Sequence, residues 1–132
     1  MEAVEKDGGR MDLTEIKDAI KAQLHSRAYR HFLSDTVLRG VGIQVEQIRK
    51  ARGWTQAQLA GRAGLSLPLI NRIERGDILH VHIASLRKIA TAFDCALRVE
   101  FAGFDMLIDE FLQLLLAPDT KVPSPFEQEF PR

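Results

Sequence analysis

The sequence contains one cysteine, Cys95. A single thiol excludes an internal disulfide framework and a cysteine-built zinc site. The apolar neighbours of Cys95 predict a small buried hydrophobe rather than a reactive thiol. No apolar run approaches the roughly 20 residues a membrane-crossing helix needs. The polar start MEAVEKDGGR does not read as a secretion signal, so a cytoplasmic protein with no membrane partner is expected. Catalytic patterns are also missing: there is no Ser-His-Asp set, paired carboxylates or phosphate loop. His80 and His82 form a close pair, but no cysteine or carboxylate cluster accompanies them. The expectation is a protein without enzyme activity, metal or cofactor.

The formal net charge is zero, from 18 basic and 18 acidic residues. That argues against a uniformly basic coat, but the charge is unevenly placed. Residues 45–88 carry 8 basic and 3 acidic side chains, whereas 89–132 carry 3 and 8. The middle of the chain is therefore a basic island, as contact with phosphate requires. With 132 residues, 45% of them hydrophobic, the chain is the size of one domain with extensions.

The island contains Arg49 to Gly76, RKARGWTQAQLAGRAGLSLPLINRIERG. Thr55 with Gln58 three positions on is a capping-box pattern, predicting a helix start. Leu59, Ala60 and Ala63 follow at helical spacing. Gly64 then stands where the helix must stop and the chain turn, a position that favours positive φ. Ser66 can cap a second helix and Pro68 fits its first turn. Ile70 and Ile73 point inward, and Gly76 ends that helix. Two short helices, a tight turn and basic side chains on both spell a helix-turn-helix, in which one helix braces and the other enters the major groove.

The segment from about Val45 to Phe101 resembles the Xre family of phage-repressor and Cro-like helix-turn-helix domains. The resemblance rests on Ile48-Arg49, Arg52 to Gln56, Gln58 to Ala60, Ala63 to Ser66, Ile70, Arg72 to Gly76 and Leu86 to Ala90. It implies a compact helical DNA-binding domain, usually a dimeric transcriptional regulator. Many members carry Gln and Ser where this chain has Leu67 and Pro68, which offer only apolar contact, for instance to a thymine methyl.

Around this unit, residues 1–11 read as a disordered start and 12–44 as a helical extension. Leu13, Ile16, Ile20 and Leu24 mark its first helix. A short piece follows over Ala28–Leu33, and a longer helix capped by Ser34 runs to Ala51, with Gly40 and Gly42 as weak points. The DNA-binding domain spans 45–94 and closes with a helix over Ile83–Asp94. Residues 96–101 then alternate, with Leu97, Val99 and Phe101 on one face, which predicts a lone strand. A lone strand leaves backbone groups unpaired, so pairing with a second copy about a two-fold axis is expected. Residues 104–116 form a strongly apolar helix that must be covered by the strand pair, the N-terminal helix or the partner subunit, and Leu107 and Phe111 join the three strand residues as dimer-interface candidates. Residues 117–132 hold four of the five prolines and read as an extended tail, either docked through Phe126 or disordered. The fold class is mainly α: a phage-repressor-like bundle with a helical extension, one C-terminal strand and a C-terminal helix.

On the second helix of the motif, the side chains free to face a groove are Ser66, Leu67, Pro68, Asn71, Arg72 and Arg75. Arg72 suits guanine and Asn71 adenine. Thr55, Gln56, Arg49, Lys50, Arg52, Arg62 and Arg75 are the phosphate candidates. The leading expectation is a dimeric repressor on double-stranded DNA. The alternatives are an antitoxin that holds a toxin protein through its apolar C-terminal part, and an interaction adaptor whose motif no longer reads DNA.

Overall fold

The computed structural model describes residues 4–6 and 9–132, with the side chains of 12–119 and 122–132. At the start, β1 (Val4–Lys6) pairs antiparallel with β2 (Gly9–Met11), Glu5 opposite Arg10. Within the described part of 1–11 the chain is thus a hairpin rather than a disordered lead, because the ladder satisfies backbone groups otherwise left to water.

Helix α1 (Leu13–Gln23) begins where the Asp12 carboxylate accepts the Glu15 N–H at 2.8 Å. Helix α2 (Arg27–Ala51) follows, capped by the Ser26 hydroxyl on the Tyr29 N–H at 3.3 Å. It runs unbroken, so the expected break with a new cap at Ser34 does not occur. Both internal glycines mark close approach instead of weakness. A Cβ on Gly40 would lie 2.6 Å from the Leu114 side chain, and one on Gly42 only 2.0 Å from the Ile73 carbonyl oxygen.

Three more helices complete the central bundle: α3 (Gln56–Ala63), α4 (Leu67–Glu74) and α5 (Ile83–Phe93). Then come α6 (Phe104–Leu116), a 3-10 turn over Pro118–Lys121 and α7 (Phe126–Glu129). Two cores form, and α2 runs through both. Its C-terminal half gives Val45 and Ile48 to a core with Leu59, Ile70, Ile73, Ile89 and Phe93. Its N-terminal half gives Leu33 to a second core with Ile20, Ile108 and Leu112. One rigid helix therefore ties the extension and α6 to the helix-turn-helix.

Three expected dimer contacts are used inside the chain. Leu107 and Phe111 pack on the second core. Leu97 is half-buried over a cleft shared with Val41 and Phe93. Val99 and Phe101 remain exposed. Residues 96–101 form no strand among the described residues, since a strand exists only with a ladder partner and this single chain supplies none. The tail docks through its backbone: Val122 packs on the main core, and the Phe126 N–H donates to the Asp94 carbonyl at 2.9 Å. The Phe126 ring is exposed and stacks on Phe130, centroids 5.2 Å apart. No described helix is long and apolar enough to cross a membrane.

Candidate nucleic-acid interface

The motif's geometry follows from its caps. Thr55 accepts the Gln58 N–H at 3.1 Å while Gln58 Oε1 accepts the Thr55 N–H at 2.8 Å, a reciprocal capping box. The Gln56 and Ala57 N–H groups lie in the first turn, where the helix itself offers no acceptor. They point out of the start of α3, where an anion is favoured. Gly64 takes φ of 68°, the left-handed value a tight stop requires, and the Ser66 hydroxyl accepts the Leu69 N–H at 3.3 Å to start α4.

Helix α4 buries Ile70, Ile73 and Glu74 and leaves Ser66, Leu67, Pro68, Asn71 and Arg75 exposed, with Arg72 half-exposed. One face is thus anchored while the other presents a continuous row to solvent. Arg72 lies 3.6 Å from Asp77. An exposed pair of this kind contributes little, so nucleic acid can displace it.

The phosphate candidates separate by what they touch. Arg49 is turned inward. Its Nε and Nη2 donate to the Glu74 carboxylate at 2.7 and 3.0 Å, and its Nη1 donates to the Trp54 carbonyl at 2.7 Å. Hydrogen bonding to the Glu74 carboxylate is the main reason the Arg49 pKa is raised above the usual arginine value. Arg52 donates to the Phe93 carbonyl at 2.8 Å and to the Pro123 carbonyl at 3.4 Å, holding the tail against the ends of α2 and α5. Both guanidiniums are thus engaged inside the chain, where the sequence alone predicts phosphate contacts, because a sequence displays charge but not the partner that consumes it. Arg62 lies over the Trp54 ring at 4.3 Å and stays exposed, and Lys50 pairs with Glu46 one turn away.

Two positions in or beside the motif are not singled out by the sequence pattern. Glu74 was passed over, although Ile70, Ile73 and Glu74 fall on one helical face, which is a legible sign of burial. Arg39 lies outside the motif in sequence, and only the fold brings it beside the motif: its stem passes over Gly76, and with Arg75 it lines an open cleft beside the end of α4. Cys95 is half-buried, and desolvation pushes its thiol pKa up, which keeps it protonated and a poor nucleophile at neutral pH.

A capped pair of helices crossing through a tight left-handed glycine turn, one face buried and the other presenting polar and basic groups, defines a helix-turn-helix DNA-binding protein. Residues 45–99 match the helix-turn-helix family of the Cro/C1 type. That segment is an Xre-family helix-turn-helix domain, the DNA-binding unit of a transcriptional regulator. No curated protein and no solved structure matches the chain.

Proposed function

We propose that this chain is a dimeric, sequence-specific repressor, without enzyme activity, that acts in the cytoplasm by covering a promoter. The observation that carries the reading is the exposed row on α4, where Asn71, Arg72 and Arg75 stand on a helix whose opposite face is locked into the core. Its N-terminal part enters the major groove and the start of α3 meets a phosphate. The exposed Val99 and Phe101 support a two-fold pairing of residues 96–101 between copies. Such a dimer reads a pseudo-palindrome with half-sites about 34 Å apart.

The test is binding of the purified protein to DNA just upstream of its own gene, against scrambled DNA, at two salt concentrations. A preference that persists at the higher salt supports the reading; equal, salt-labile binding to both leaves only the phosphate contribution and counts against it. Within the same assay, Arg72→Ala is expected to cost about 1–3 kcal/mol on the cognate site and to relax specificity. Arg39→Ala is expected to weaken binding alike on every sequence and to lower the salt slope by about 1, as loss of one phosphate contact does. A sequence-dependent loss at Arg39, or none, removes it from the interface.

A second reading is an antitoxin that represses its own operon. It is favoured by the exposed Leu115, Leu116, Phe126 and Phe130, apolar side chains of the C-terminal part that a toxin protein could cover. Co-purification with the product of an adjacent gene, lost on replacing Phe126 and Phe130, would select it.

A further inference from the structure

The side chain of Glu74 is 2% exposed. Its two carboxylate oxygens serve three donors. Oε2 accepts Arg49 Nε at 2.7 Å; Oε1 accepts Arg49 Nη2 at 3.0 Å and Gln56 Nε2 at 3.1 Å. A carboxylate only accepts, so the amide nitrogen of Gln56 is the end that faces it. The carbonyl end of Gln56 is thereby turned outward, to Asn71 Nδ2 at 3.4 Å. A carbonyl also only accepts, so Asn71 must offer its nitrogen there. What Asn71 then presents on the exposed side of α4 is its Oδ1 acceptor and its second N–H. Acceptor beside donor is the pattern that adenine's N6 amino group and N7 complement in the major groove.

From this chain of contacts we infer that the buried Glu74 sets, through the Gln56 amide, which way round Asn71 reads DNA, and that Asn71 specifies one adenine in each half-site. The inference rests on the reading of α4 as the groove-entering helix. Gln56 is the positioning residue, and Asn71 is the one that meets the base. The same contacts explain why Gln56, placed at a helix start that faces phosphate, is not free to spend its amide on the backbone.

The experiment is selection of the full-length protein and its variants on a randomised double-stranded DNA pool, read by sequencing, with thermal melts to confirm folding. Wild type is expected to select an adenine at one position per half-site. Asn71→Asp presents acceptors only, and should switch that single position toward cytosine. Gln56→Ala leaves Asn71 in place but frees its amide to rotate. Adenine preference there should fall by at least about fivefold, with preferences elsewhere retained. Gln56→Ala that lowers binding equally on all sequences, or Asn71→Asp that changes no base, overturns the relay while leaving the DNA reader intact. A folded wild type that selects no sequence at all overturns both.

Discussion

Glu74→Ala is expected to lower unfolding free energy by about 3–5 kcal/mol, a large fraction of the roughly 5–15 kcal/mol that holds a native protein folded. The reason is the charge it strands. The Arg49 side chain is 12% exposed and two of its three hydrogen-bonding nitrogens address Glu74. Removing the carboxylate leaves a guanidinium in the interior without its counter-charge, and Gln56 loses its acceptor as well. Urea denaturation measures the loss directly. The diagnostic comparison is the double replacement Arg49→Met with Glu74→Leu, which removes both charges and should recover much of the deficit. If the single and double variants are equally damaged, the pair is not the cause and the packing of α4 against α2 is. Because Arg49 also holds the Trp54 carbonyl just before α3, the double variant should regain stability but still misplace the start of that helix.

Gly42→Ala is expected to destabilise by about 3 kcal/mol or more, against the ordinary preference of helices for alanine. In an unobstructed helix interior that exchange gains roughly 0.5–1 kcal/mol. At Gly42 the added carbon would meet the Ile73 carbonyl oxygen at 2.0 Å, and a backbone atom cannot swing aside as a side chain can. Helix α4 would have to back away from α2, opening the core and moving the reading face with it. Gly61→Ala is the matched control. It lies within α3 with nothing inside 4 Å of a new Cβ, so it should stabilise by roughly 0.5–1 kcal/mol. Chemical denaturation of the two variants should therefore shift the midpoint in opposite directions. A stabilised Gly42→Ala would mean that α2 and α4 do not cross as closely as described.

The helix-turn-helix was legible because its signals are local. Thr55, Gln58, Gly64, Ser66 and Pro68 act on backbone groups within a few residues of themselves, so a one-dimensional pattern carries the information. Ile70 and Ile73 were equally plain from helical spacing, and both are buried. The misjudged positions share a different property. The glycines of α2 look like helix breakers, and only the crossing of a second backbone makes them necessary. Leu107 and Phe111 look like an interface when α6 is read alone, and pack against the second core once α1, α2 and α6 come together. Arg49 and Arg52 look like phosphate ligands until Glu74 and the Phe93 carbonyl are brought beside them.

By itself the sequence determined the ends of α3 and α4, the turn between them, their apolar faces and the basic island, because caps, periodicity and charge act over one or two turns of chain. Tertiary structure alone decided that α2 is a single strut joining two cores, which arginines are spent inside, and how Gln56 is turned between Glu74 and Asn71. Those outcomes depend on residues distant in sequence meeting at hydrogen-bonding or van der Waals distance, and no local preference encodes that meeting.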